Sequence, residues 1–130
     1  MFMNPSDFYL INAQASGVEL YRKLADLRRL APTEAIVFVD EHEDTIRTGQ
    51  FFSPLTVEAD LWMSLPAARH SGQGALSFAD GHVSIHKWLD PRTRVPVMRV
   101  QPSLPRFPQP NNPDWRWFLG HVTVPASNAP

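Results

Sequence analysis

The sequence predicts an α+β domain in which an amino-terminal helix packs on a small antiparallel sheet and a proline-rich arm wraps around both. Three observations predict this fold: apolar residues at helical spacing over 18–30, an Asp-Gly pair between alternating segments over 75–88, and nine of the thirteen prolines within 91–130. A chain of this length can bury about two thirds of its unfolded surface, so residues 1–130 are predicted to form a single domain with its sheet core in 36–90.

Residues 18–30 are predicted to form the helix. The apolar residues that recur at helical spacing are Leu20, Tyr21, Leu24, Leu27 and Leu30. Strong helix formers fill the positions between them, Ser16-Gly17 is a suitable start, and Pro32 ends the run. We expect the apolar face of this helix to cover one face of the sheet.

Residues 36–39 and 75–88 are predicted to supply the sheet. The first segment is a short β-branched and aromatic run, which is typical of a buried strand. In the second segment, Asp80-Gly81 between alternating stretches indicates a β-hairpin with a two-residue turn. Such a turn places one set of apolar side chains on a common face, namely Leu76, Phe78, Val83 and Ile85. The opposite, thinly covered face carries the predicted partner surface of His82, His86 and Trp88.

Residues 91–130 are predicted to run as an extended arm, because their prolines exclude both a sheet interior and a long helix. Within this arm, residues 111–121 indicate a short final turn of helix that Trp115 and Trp117 anchor. The last residues are expected to fray.

Composition excludes several classes of function. The net charge of −1 gives no case for nucleic acid binding, and the absence of cysteine excludes disulfides and thiolate metal sites. The sequence contains no run of about 20 apolar residues, so we expect no membrane insertion by this chain. It also begins without the basic and apolar regions of a signal peptide.

Four carboxylates within five residues, Asp40, Glu41, Glu43 and Asp44, follow the first predicted strand. Carboxylate oxygens are the ligands that calcium prefers, so this cluster predicts a possible calcium site. The spacing is not that of an EF-hand loop, and charge runs at strand ends are more often solvated surface. We therefore expect no cofactor, and calcium is the alternative that this cluster suggests.

Catalysis is not predicted. His70 and Asp80 are separated by a predicted strand, and His82 and His86 stand about 13 Å apart along another at about 3.3 Å per residue. A metal-dependent hydrolase using His70, Asp80 and His82 is thus an alternative that would need the hairpin to break. No nucleophile elbow, dinucleotide fingerprint or P-loop occurs. The chain is predicted not to be an enzyme.

Three segments in order resemble a known family. They are "IVFVDEHEDTIRTGQF", "PAARHSGQGALSFADGHVSIHKW" and "NPDWRWFLGHVTV", and the second contains His70, nine residues and then Asp80-Gly81. This pattern is similar to the H-X9-DG domain of type II secretion pseudopilin-like proteins, also called prepilin-type processing-associated proteins. The resemblance covers roughly residues 20–124 and makes His70, Asp80 and Gly81 the family-signature residues.

The resemblance implies a globular head that is exposed outside the cytoplasm, in the periplasm or at the cell surface. In full-length relatives a cleaved leader and a long apolar helix precede the head and anchor it in the inner membrane. Neither precedes residue 18 here, so we expect the head without its anchor. The predicted function is non-enzymatic: contacts with protein partners, other pseudopilins or secretion components, in a secretion or pilus-type assembly.

Overall fold

The computed structural model describes residues 18–19, 21–47, 50–52, 61–99 and 107–124. Strands β1, β3 and β4 form an antiparallel sheet in the order β1-β3-β4, and strands β2 and β5 form a separate antiparallel pair. The elements in chain order are β1 (Ile36–Val39), β2 (Leu61–Trp62), β3 (Gln73–Phe78), β4 (Val83–Lys87), β5 (Phe107–Pro108) and the helix α1 (Pro113–Val122). The predicted fold class is confirmed at the level of a small antiparallel sheet with one helix.

The predicted α-helix over 18–30 is wrong for the residues that the structure describes there. Only one 3-10 turn forms, at Leu24–Asp26, and the Leu24 side chain is 60% exposed. The carboxylate of Asp26 instead accepts the backbone N–H groups of Arg22 and Lys23 at 2.9 and 3.1 Å. A helix of this length needs an apolar surface to pack on, and α1 packs against the core side of the sheet in its place.

Helix α1 forms because its start is capped and its apolar residues share a face. The Asn112 side chain accepts hydrogen bonds from the backbone N–H groups of Asp114 and Trp115, at 2.8 and 3.2 Å, and Pro113 occupies the first turn. Trp115, Phe118 and Leu119 follow at helical spacing and are all buried. The predicted short turn near the end of the chain is thus a ten-residue helix.

An aromatic cluster forms the centre of the core. Trp62 is fully buried there. Its ring contacts four others at centroid distances of 5.0 to 6.5 Å, those of Phe51, Trp88, Trp115 and Phe118. Offset and edge-to-face aromatic contacts of this kind stabilise a core beyond the area that they bury. Leu76 and Phe78 of β3, and Trp88 directly after β4, belong to the same cluster.

The hairpin forms at the predicted place, but its register differs from the prediction by one residue. Leu76 pairs with Ser84 and Ser77 pairs with Val83, because the turn contains three residues, 79–81. Phe78 N–H donates to the carbonyl of His82 at 3.0 Å, and Gly81 closes the turn with a φ of +92°. Three-residue hairpin loops need a positive φ at their last position, which glycine adopts without strain.

This register reverses the predicted faces of β4. A shift by one residue moves every side chain of a strand to the other side of the sheet. Leu76 and Phe78 are buried as predicted, whereas Val83 and Ile85 are 68% and 55% exposed. The prediction that these four side chains share one apolar face is therefore wrong.

The structure describes the proline-rich arm over 91–99 and 107–124. Within it, Thr93 is buried and Val95 packs against the aromatic core. Further on, β5 pairs with Leu61–Trp62 through its backbone. Within the described ranges, no helix is long and apolar enough to cross a membrane.

Candidate functional site

The family-signature residues lie at opposite ends of strand β3. His70 is exposed in the turn that precedes this strand, and Asp80 lies in the turn that follows it. The strand between them spans about 17 Å at about 3.3 Å per residue. The structure therefore does not bring His70 and Asp80 together.

Asp80 contacts His82 instead. Its Oδ1 lies 2.6 Å from Nδ1 of His82 and accepts the backbone N–H of the same residue at 3.1 Å. These hydrogen bonds hold the pKa of the Asp80 carboxyl below its usual range. The His82 ring also stacks on Phe78, with centroids 4.3 Å apart and planes 2° apart. Asp80, Gly81 and His82 thus fix the shape of the turn.

The four carboxylates of the predicted calcium cluster do not converge on a common point that a metal ion could occupy. Both oxygens of Asp40 accept hydrogen bonds from Arg69 at 2.8 Å, and Glu43 accepts another from the same guanidinium at 3.2 Å. Asp44 accepts the backbone N–H of Met98 at 2.6 Å, whereas Glu41 turns into the core. Among the residues that the structure describes, no group of three or more histidine, aspartate or glutamate side chains is placed to hold a metal ion.

Glu41 is the most unusual member of this cluster, because its side chain is buried. The Thr45 hydroxyl donates to its Oε1 at 3.0 Å, and no described group makes a well-formed hydrogen bond to its Oε2. Burial raises the pKa of Glu41, and the nearby hydroxyls of Ser64 and Thr45 only partly oppose this shift. Glu41 faces away from solvent, so it is not available to a calcium ion at the surface of this loop.

A shallow cleft of about 180 Å³ lies beside the acidic loop, lined by His42, Arg69 and the arm residues 95–97. Both nitrogens of the His42 ring are engaged. Nδ1 accepts the backbone N–H of Asp44 at 3.2 Å, and Nε2 lies 3.1 Å from the carbonyl of Val95. Arg69 is committed to Asp40 and Glu43. The His42 ring therefore links the arm to the loop, whereas Arg69 binds within the acidic loop.

The predicted partner surface of His82, His86 and Trp88 does not form as expected. Trp88 is fully buried, and its indole N–H donates to the carbonyl of Ala67 at 2.9 Å. His86 stacks on Trp117, with ring centroids 3.6 Å apart. Burial lowers the pKa of His86. The one-residue shift in register turns the side chains of His86 and Trp88 toward Trp117 of α1. Of the three predicted residues, only His82 is exposed.

The exposed side of the sheet carries side chains that the sequence pattern predicts to face the core. Val83 and Ile85 of β4 lie on this side with Ala75 and Ser77 of β3, and Phe38 of β1 is exposed on the same side. We call Val83 and Ile85, together with the outward backbone of β4, the β4 surface. The signal that could have found it is the glycine at the third position of a possible three-residue turn.

Comparison with known proteins adds no relative. No family model matches the chain, and no curated protein or solved structure is significantly similar to it.

Proposed function

We propose that this chain is the globular head of a pseudopilin-like protein and works outside the cytoplasm through contacts with protein partners. The partners are other pseudopilins or components of a secretion or pilus-type assembly. The basis of the family assignment is the resemblance of the three sequence segments. The geometry of the hairpin is consistent with it, since the signature residues Asp80 and Gly81 shape a turn.

The observation that carries the proposal is the exposure of Val83 and Ile85 on one side of a three-stranded sheet. Contiguous exposed apolar side chains are typical of protein interaction sites. The neighbouring side chains on β3, Ala75 and Ser77, are small. A partner can therefore approach the backbone of the sheet closely.

The hairpin that carries this surface is held rigidly from behind. A Cβ at Gly74 would lie 2.5 Å from the carbonyl oxygen of Ala67, so only glycine allows this approach of β3 to the neighbouring segment. On the same side, the Trp88 indole bonds to the same carbonyl. A rigid hairpin presents its exposed strand without a large ordering cost on binding.

The test is site-specific photo-crosslinking in the source organism. A photoreactive amino acid replaces Ile85 in one strain and Gly120 in another, since Gly120 is exposed on α1 with open space around it. We expect crosslinks at position 85, and not at 120, to proteins of a secretion or pilus-type system, and we expect the protein in the extracytoplasmic fraction. A cytoplasmic location, or crosslinks only to unrelated proteins, would overturn the proposal.

A further inference from the structure

Strand β4 is an edge strand whose outward backbone groups have no partner in the described part of the chain. Phe78 N–H donates to His82 O, and Trp88 N–H donates to Gly72 O. The backbone N–H and C=O groups of the even-numbered residues 82–88 therefore point toward β3. The N–H and C=O groups of Val83, Ile85 and Lys87 therefore point away from the sheet. They form a row of unsatisfied donors and acceptors beside two exposed β-branched side chains.

Natural proteins protect such an edge with proline, a bulge, a very short strand or charged side chains, lysine above all. Strand β4 contains no proline, and its single charged residue, Lys87, lies at its end, so the middle of this edge is uncharged. The other edge strand of the sheet is β1, and the residues that follow it are paired with another segment of the chain. Residues 40–42 that follow β1 bond to residues 65–67, with Ala67 N–H donating to Asp40 O at 2.7 Å.

We propose that β4 pairs with β4 of a second copy of this chain, antiparallel and with Ile85 opposite Ile85 of the second copy. This register overlaps the whole strand and pairs all of its outward groups. The opposed pairs are Ile85 with Ile85, Val83 with Lys87 and Lys87 with Val83. Two three-stranded sheets then join into one continuous sheet across a two-fold axis, which is the commonest symmetry of homodimers.

The charges of the strand favour a second copy in this orientation. Antiparallel pairing sets each Lys87 against a valine, whereas parallel pairing in register would oppose two lysines. Lys87 forms no ion pair among the described residues, and antiparallel pairing directs it toward the end of the other hairpin that carries Asp80. The Asp80 carboxylate is partly exposed in that turn. The edge is thus complementary to itself in hydrogen bonds, apolar contacts and charge.

This inference builds on the proposed function, because it names one partner of the β4 surface. The interface formed by one short strand is small, so we expect the free heads to associate weakly. Heads held close together in an assembly would experience a much higher effective concentration.

Single-cysteine variants of a chain that contains no cysteine give the sharpest test. In the proposed pair the two Cα atoms at position 85 stand about 5.5 Å apart, within the range of a disulfide. The two at position 83 stand about 13 Å apart along the strand. We expect Ile85→Cys to form a disulfide-linked dimer under mild oxidation and Val83→Cys to form none. The double variant Val83→Cys/Lys87→Cys should form a dimer linked twice.

Equal crosslinking of Ile85→Cys and Val83→Cys would overturn the proposal, because it would indicate stacking of sheet faces or random collision. The absence of crosslinking at position 85 at about 0.1 mM protein, where weak interfaces are populated, would also overturn it.

A backbone variant tests the hydrogen bonds themselves. Ile85→Pro removes an outward N–H and leaves the bonds between β3 and β4 intact, as edge strands tolerate. We expect at least about a tenfold loss of self-association, measured by sedimentation equilibrium, because two hydrogen bonds disappear from the symmetric pair. Ile85→Thr is the matched control, since it keeps the N–H and should associate more strongly than Ile85→Pro. Tryptophan fluorescence of the buried core checks that both variants are folded.

The two proposals fail in different ways. Photo-crosslinking to secretion proteins in the source organism, with no disulfide dimer at position 85, would leave the proposed function standing and overturn the inference. A register-specific dimer without any secretion partner would support the inference and overturn the proposed function.

Discussion

Two carboxylates in this domain are buried almost equally, yet their surroundings differ. Asp114 is 2% exposed, and its oxygens accept the backbone N–H groups of Leu89 and Asp90 at 2.9 to 3.1 Å. Glu41 is 3% exposed, and its Oε2 makes no well-formed hydrogen bond with a described group. Buried polar groups stabilise a fold only when their hydrogen bonds are made. Asp114 therefore stabilises the folded state, whereas Glu41 destabilises it and the rest of the core compensates.

Replacing Asp114 tests the stronger side of this comparison. Asp114→Ala leaves two backbone N–H groups without an acceptor and removes the acidic residue of the first turn of α1. We expect it to lower the free energy of unfolding by about 3 kcal/mol, measured by urea unfolding. Asp114→Asn is the control, because it keeps one acceptor oxygen and should lose less. A loss below about 1 kcal/mol for Asp114→Ala would contradict the structural role.

Replacing Glu41 should have the opposite sign. Glu41→Gln removes the buried charge, keeps an oxygen that can accept from Thr45, and adds an amide N–H₂ on the side that lacks a partner. We expect a gain of about 1 kcal/mol in the free energy of unfolding at pH 7. Glu43→Gln is the exposed control and should change little. If Glu41→Gln proved as destabilising as Asp114→Ala, the two carboxylates would have similar roles and the comparison would break.

The pH dependence of the Glu41→Gln effect sharpens the same comparison. Burial raises the pKa of Glu41 in the folded state, so the folded chain holds this proton to a higher pH than the unfolded chain does. The contribution of Glu41 to stability therefore falls as pH rises above the pKa of this group in the unfolded chain, and levels off above its pKa in the folded chain. Urea unfolding of both proteins between about pH 4 and pH 7 should give a difference that is near zero at low pH and grows with pH. A difference that shrinks as pH rises would contradict it.

The sequence was informative where local pattern and burial agree. The apolar run at β1, the Asp-Gly turn and the tryptophans near the end of the chain each predicted an element at the right place. Pro113 with Asn112 before it is a start signal for α1 that short-range chemistry determines. The role of Trp62 in the core follows from its size alone.

The errors came from features that depend on distant contacts. Leu24 and its neighbours have helical spacing, but a helix there would need a surface that α1 occupies. One residue in the turn decided whether Val83 and Ile85 face the core or solvent, and a two-residue loop was equally consistent with the pattern. In the sequence, the segment DEHED has the pattern of a single acidic cluster. In the fold, Glu41 is separated from the other carboxylates, because its backbone forms a β-bridge with Pro66 and its side chain is buried.

The exposed carboxylate of Asp40 completes the comparison with the smallest expected effect. Nη1 of Arg69 donates to both oxygens of Asp40, so Asp40→Asn removes one acceptor and the charge, and both side chains are more than a third accessible. Exposed ion pairs contribute little, so we expect a loss of at most about 1 kcal/mol in the free energy of unfolding, which disappears in about 1 M salt.

The same unfolding experiment in about 1 mM calcium tests the alternative function, a calcium-binding module. We expect no shift of the midpoint, because Arg69 already occupies the oxygens of Asp40 and Glu43. A rise in stability with calcium that Asp40→Asn abolishes would instead support a calcium-binding loop and displace the proposed role of the β4 surface as the functional centre of the domain.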